Sequence, residues 1–119
     1  MLMIIYTVSV HAQRYENQIF NEVTAQTVIY SKEKGLEMDI YQPAGDSRAD
    51  RPVILFVHGG GFAGGARDEP EIIDFCKNMA RRGIVTVSIT YTLVMKGKSF
   101  SCDRPAEEKL WTFKHVGME

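Results

Sequence analysis

Cysteine is scarce in this chain. Only Cys76 and Cys102 occur among 119 residues, and neither belongs to a CxxC pair or a Cys/His cluster at metal-ligand spacing. That excludes the common structural zinc modules, which need four such ligands in close sequence pairs, and no metal or other cofactor is expected. Excess charge is missing too: 14 Lys+Arg face 15 Asp+Glu, for a formal net charge of -1. Such a chain has no long-range field to gather nucleic acid or an acidic lipid surface, and neither is expected as a partner. Long apolar runs are absent. The longest, Met1 to Val10, is too short to span a bilayer, so no stable membrane anchor is expected. There is no internal repeat and no low-complexity tract. What is present is an ordinary globular composition, 45% hydrophobic and 24% charged, sized for one domain or part of one.

The first residues carry their own reading. Met1 to Val10 is almost wholly apolar, and Val10-His11-Ala12 places small residues where a signal peptidase cuts, with Gln13 as the mature start. Residues 1–12 therefore read as an export signal and the protein as secreted or periplasmic, although the positively charged n-region is missing. The alternatives are an N-terminal strand, or a start codon inside a longer leader, and a cytoplasmic protein.

From Val23 to Ser31 and from Leu36 to Gln42, β-forming residues alternate with polar ones across the short Lys32-Glu33-Lys34-Gly35 connection, which predicts a hairpin. In its second arm Leu36, Met38 and Ile40 share one face while Glu37 and Asp39 share the other. Only the first face is expected to meet a core, with Asp39 pointing outward. Pro43 ends the arm, residues 44–51 form a polar loop, and Pro52 extends the chain into Val53.

Further on, Asp68-Glu69-Pro70-Glu71 reads as a helix start, with Asp68 as N-cap and Pro70 in the first turn. Ile72, Phe75, Cys76, Met79 and Ala80 then form one apolar stripe, Arg81 and Arg82 suit the negative end of the helix dipole, and Gly83 suits a left-handed cap. Cys76 on that stripe reads as a buried free thiol; a disulfide with Cys102 is the alternative if the protein is exported. Ile84 to Ile89 is a second β-branched run. Strand, helix and strand in this order predict a right-handed crossover with Val53–Val57 parallel to Ile84–Ile89. Beyond it, Lys96 to Asp103 reads as loop and Pro105 to His115 as a short helix, with Glu107-Glu108-Lys109 an exposed charge cluster.

The most informative stretch is Val53-Ile54-Leu55-Phe56-Val57-His58-Gly59-Gly60-Gly61-Phe62. Five apolar residues read as a strand covered on both faces. The three glycines that follow let the backbone turn sharply and leave N–H groups unshielded by side chains, and such groups can face the negative oxygen that develops in acyl transfer. A plain tight turn or a phosphate loop are the other readings of a glycine run. Gly97-Lys98-Ser99 supplies only the end of a phosphate-loop motif, since Thr92 stands where its first glycine belongs.

Together, Leu36-Glu37-Met38-Asp39-Ile40-Tyr41-Gln42-Pro43 and the later His58-Gly59-Gly60-Gly61-Phe62 resemble the amino-terminal part of α/β-hydrolase-fold esterases and lipases. The likeness is to the hormone-sensitive-lipase-like and bacterial carbohydrate-esterase-like branches, and it covers residues 23–91. The resemblance implies an α/β fold, here an antiparallel hairpin leading into a parallel sheet with a βαβ crossover, incomplete over residues 13–119. It implies hydrolysis of a small-molecule carboxylic ester, with acylated sugars among the candidates, by a Ser-His-Asp/Glu triad. It makes Gly60 and Gly61 oxyanion-hole donors, His58 a support of the loop and Phe62 a lining of the acyl pocket.

The nucleophile elbow of that family, G-x-S-x-G, is missing, as are the acid and histidine that follow it. Ser99 lies in Gly97-Lys98-Ser99-Phe100-Ser101, which ends in serine and follows a loop, so it is not expected to attack. Ser88 reads as a strand residue, His11 as part of the cleavage site and His115 as a solvated residue near a helix end. The chain thus carries a charge-stabilising loop without an attacking group, and alone it is expected to be unstable or aggregated and catalytically silent. Two further readings stay open, a non-catalytic hydrolase-like binding module and a serine peptidase of the same fold.

Overall fold

A computed structural model describes residues 14–98. The expectations placed on residues 1–12, Ser99, Cys102, residues 105–115 and His115 lie outside the described residues. The described residues divide into two compact units: 14–58 together with Gly65–Tyr91, and Gly59–Gly64 together with 92–98.

The first unit holds the sheet. Its elements are β1 (Val23–Ser31), β2 (Leu36–Pro43), β3 (Val53–Val57), α1 (Pro70–Ala80) and β4 (Val85–Ile89). The hairpin forms as expected, with Val28 opposite Met38 and Gln26 opposite Ile40, and its turn closes through Gly35 at φ 62°. β3 and β4 run parallel with Leu55 beside Val87, joined through α1, as the strand–helix–strand order predicts. β4 also pairs with β2, antiparallel, with Asp39 opposite Ser88, and the sheet order is β1-β2-β4-β3. β4 is therefore an interior strand, and β3 is an edge of the described sheet, as is β1.

Pairing register decides which residues share a face, because directly opposed residues point the same way. Val53, Leu55 and Val57 share one face with Val85, Val87, Ile89, Met38 and Ile40. Ile54, Phe56, Thr86, Ser88, Asp39 and Tyr41 occupy the other. α1 packs on this second face: Ile72, Cys76 and Ala80 form a buried cluster with Tyr41, joined by Val23, Phe56 and Ile73. The Phe56 and Phe75 rings lie 5.5 Å apart at 50°, a tilted aromatic contact.

Two expectations fail here, for related reasons. β3 is not covered on both faces, since Val53, Leu55 and Val57 are 62%, 60% and 54% exposed. A continuous apolar run shows that a strand can be buried on both sides, but not that the described residues supply both layers. Asp39 does not point outward: it is 7% exposed, on the face that α1 covers. Polar/apolar alternation marks two faces without saying which receives the helix, and here the helix takes the face bearing the carboxylate.

β4 places two hydroxyls in the buried layer, and both are satisfied, as buried polar groups must be. Thr86 donates to the Cys76 carbonyl at 3.0 Å and Ser88 to the Arg67 carbonyl at 2.9 Å. Ser88 is thus the strand residue its position suggests. Cys76 is a fully buried free cysteine, and burial pushes its thiol pKa up.

The helix begins one residue later than expected. Glu69, not Asp68, is the N-cap, with Pro70 at the first helical position and no side-chain cap. The Glu69 carboxylate instead turns back to accept the Ala66 N–H at 3.1 Å. At the other end Gly83 adopts φ 88°, its N–H bonds the Ala80 carbonyl at 2.8 Å, and the Ile84 N–H bonds Met79 at 3.3 Å. That double closure requires a left-handed residue, which glycine supplies without strain.

Two outcomes follow from this packing. Leu55→Lys is expected to lower static light scattering of the chain with the far-UV circular dichroism unchanged, because the apolar side chain it removes is exposed. Loss of secondary structure would show that Leu55 is instead part of a core. In a gene product that completes the domain, Gly83→Ala is expected to lower the urea-unfolding stability by about 1–2 kcal/mol, the cost of a side chain in left-handed backbone. An added Cβ there would also sit 2.8 Å from the Arg14 Nε.

Candidate active site

β3 runs directly into His58, and the chain then enters the glycine segment of the second unit. Gly60, Gly61 and Gly65 have φ of 117°, 60° and 87°, and Phe62 itself sits at 60°. A bulky side chain in the left-handed region costs about 1–2 kcal/mol and persists only where the surroundings over-determine it. Here the Gly60 carbonyl accepts both the Ala63 N–H at 3.0 Å and the Gly64 N–H at 3.2 Å, while the Phe62 carbonyl accepts the Met95 N–H at 2.9 Å. The Gly60 and Phe62 carbonyls are therefore spoken for.

The Gly60 and Gly61 amides are not. Among the described residues the N–H groups of Gly60 and Gly61 donate to no acceptor, and both residues are exposed. A Cβ built on Gly61 would meet nothing within 4 Å. Two adjacent N–H groups exposed in one tight turn form the kind of concavity that binds anions. Phe62, expected against an acyl chain, is 53% exposed.

His58 belongs to the first unit and is 4% exposed. Its ring stacks on Tyr91 with centroids 4.4 Å apart and planes at 22°. The Tyr91 hydroxyl donates to the His58 carbonyl at 2.8 Å. The end of β3 is thereby braced by the residue that follows β4 by two positions.

Within the first unit lies an ion network that the residue pattern did not predict. The Arg67 Nε–H donates to Asp39 Oδ2 at 2.9 Å, and a terminal nitrogen lies 2.8 Å from Glu37 Oε2. Asp39 Oδ1 accepts the Thr27 hydroxyl at 2.7 Å. Burial works against the Arg67 charge, but the hydrogen bond to Asp39 and the charges of Asp39 and Glu37 outweigh it and hold its pKa above the ordinary value. Glu37 and Asp39, two residues apart on one strand face, were the available signal: like charges at that spacing suit a planar guanidinium between them. Among the described residues no group of three or more His, Cys, Asp or Glu could hold a metal ion, and no helix is long and apolar enough to cross a membrane.

The fold has counterparts. The chain resembles brefeldin A esterase, a bacterial homologue of human hormone sensitive lipase, with a TM-score of 0.51 and 17% identity over 95% of this chain and 31% of that one. The fold is accordingly that of an α/β-hydrolase, of which the chain carries part. Within that class it belongs to the BD-FAE family, an α/β-hydrolase esterase family, which matches residues 38–102, more than half of the chain. It is also 38% identical over 77 residues to the non-reducing polyketide synthase trt4 of Aspergillus terreus. The identity to the non-reducing polyketide synthase ausA of Emericella nidulans is 39% over 77 residues. Each match takes in 61% of this chain but 3% of the synthase.

Tyr91→Phe keeps the ring stack and removes one hydroxyl donor from a buried carbonyl. In a gene product that completes the domain it is expected to cost about 1 kcal/mol in urea unfolding. No change in midpoint would show that the hydroxyl does not brace the end of β3.

Proposed function

We propose that His58–Phe62 is the oxyanion loop of a serine-dependent carboxylic-ester hydrolase. In that reaction a serine oxygen attacks the ester carbonyl, the carbonyl oxygen gains the negative charge, and the Gly60 and Gly61 N–H groups hold it until the alcohol leaves. His58 braces the loop and Phe62 lines the acyl side. The nucleophile, acid and triad histidine are not among these 119 residues, so the loop acts with groups supplied from elsewhere. The substrate is a small-molecule ester, with acylated sugars among the candidates. Export from the cell is part of the same proposal and rests on the residue pattern of positions 1–12.

One observation carries this reading: two adjacent, exposed glycine N–H groups, neither bonded among the described residues, in the turn that follows β3 and His58. Membership of an esterase family supports it. A phosphate loop would need a helix starting at the glycines, whereas α1 starts only at Pro70.

Hydrolysis of p-nitrophenyl acetate tests the proposal. The 119-residue chain alone is expected to release no p-nitrophenol above the blank. In a gene product that joins this segment to a G-x-S-x-G elbow, Gly61→Pro is expected to lower kcat by about 10²- to 10³-fold with KM little changed. Wild-type turnover in that variant would remove Gly61 from the oxyanion site.

A further inference from the structure

Within the second unit, the direction of the Gly61 N–H can be followed through two peptide planes to Met95. A trans peptide unit is planar, so its C=O and N–H point in opposite directions and fixing one fixes the other. The Gly61 N–H shares a plane with the Gly60 C=O, which accepts the Ala63 N–H at 3.0 Å and the Gly64 N–H at 3.2 Å. With that carbonyl turned toward Ala63 and Gly64, the Gly61 N–H must point away from both. Consistent with this, Gly61 is exposed, and a Cβ built on it would meet nothing within 4 Å.

The Ala63 N–H shares its own plane with the Phe62 C=O, and that carbonyl accepts the Met95 N–H at 2.9 Å. The peptide between Phe62 and Ala63 is thus held at both ends, by Met95 on its oxygen and by Gly60 on its nitrogen. Phe62 at φ 60° is a conformation that its surroundings must impose, and the Met95 bond falls on its own carbonyl. Met95 is itself seated in a chain of turns. The Val94 N–H bonds the Thr92 carbonyl at 3.0 Å, that of Lys96 bonds Leu93 at 3.1 Å, and that of Lys98 bonds Met95 at 2.9 Å. Gly97, third residue of the last turn, takes the φ of 75° that a type II turn requires. Met95 is 7% exposed, so its N–H is offered from an anchored residue.

We propose that Met95 is a positioning residue for the oxyanion site. Its N–H holds the Phe62–Ala63 peptide, which holds the Gly60 carbonyl, which aims the Gly61 N–H. The proposal rests on the oxyanion reading and deepens it, because it makes the two donors unequal. Gly61 is aimed by this relay, whereas the Gly60 N–H belongs to the preceding peptide, outside it.

Phosphorus NMR of a covalent phosphonate adduct tests the relay, because the resonance responds to hydrogen bonds on the phosphoryl oxygen that stands in for the oxyanion. The protein is the ester-hydrolysing gene product that joins this segment to a G-x-S-x-G elbow. Its wild-type adduct is expected to resonate away from the position of the same adduct after denaturation. Met95→Pro removes the N–H. It is expected to move the resonance partway toward the denatured position. It is also expected to lower kcat on p-nitrophenyl acetate, per titrated active site, by about 10- to 100-fold with KM within about twofold. Met95→Leu keeps the N–H and the apolar volume, and is expected to match the wild type in both readouts.

A Met95→Pro adduct that stays at the wild-type resonance overturns the proposal, and so does a moved resonance with kcat intact. Met95→Leu falling as far as Met95→Pro also overturns it, since the side chain and not the N–H would then be responsible. If Met95→Pro does not fold, Gly97→Ala decides by the same two readouts. Its Cβ meets nothing within 4 Å, so it acts only by straining the turn that seats Met95. It is expected to shift the resonance in the same direction and to lower kcat by about 3- to 10-fold, and wild-type values in either readout overturn the proposal. A wild-type gene product that hydrolyses no ester, or whose adduct resonates at the denatured position, is a different failure: it sinks the oxyanion reading before any variant is compared.

Discussion

The insertion of β4 between β2 and β3 is the constraint on which the rest of this chain depends. Because β4 pairs antiparallel on one side and parallel on the other, it locks the hairpin and the crossover into a single sheet. Its buried hydroxyls, Thr86 and Ser88, reach out of the strand to the Cys76 and Arg67 carbonyls, and so register the helix and the loop against the sheet. Tyr91, just past its end, braces the end of β3. Helix, loop and strand end are thus referenced to one five-residue strand. Neighbouring elements share a frame because they share hydrogen bonds, not only because apolar surface is buried between them.

That frame gives chemical meaning to a segment with almost no side chains. A turn rich in glycine is costly to order, yet for an oxyanion site the lack of side chains is the useful property, because it leaves main-chain donors open to a ligand. The Gly60 carbonyl is taken by the Ala63 and Gly64 N–H groups and the Phe62 carbonyl by that of Met95, while the Gly60 and Gly61 N–H groups donate to no acceptor among the described residues. The left-handed Phe62 shows that the turn is held against local preference. Preorganisation of this kind is what makes such donors effective, since they need no reorientation as charge appears.

Much of this was legible in the residues. The hairpin, the crossover, the parallel pairing and the left-handed Gly83 all follow from alternation, β-branching and glycine placement, which act over a few residues. What escaped were facts set by partners distant in sequence. Asp39 lies 28 residues from the arginine that neutralises it, and nothing in Met38-Asp39-Ile40 announces burial. Val53, Leu55 and Val57 have the composition of a doubly covered strand, yet their exposure reports how much of the sheet's second face is covered, a property of other elements. The N-cap moved by one residue because Glu69 turned its carboxylate back to Ala66, a local competition that composition does not rank. The glycine turn was recognisable by pattern. The emptiness of its leading amides could be learned only from geometry.

The central claim is that the main-chain hydrogens of Gly60 and Gly61 receive a developing negative oxygen. The most direct measurement is a crystal structure of the ester-hydrolysing gene product inhibited covalently by a phosphonate, whose phosphoryl oxygen stands in for the tetrahedral oxyanion. The account predicts that oxygen at about 2.7–3.1 Å from both the Gly60 and Gly61 nitrogens. A phosphoryl oxygen bound by other donors, with these two amides turned away or bonded to the protein's own carbonyls, would contradict it.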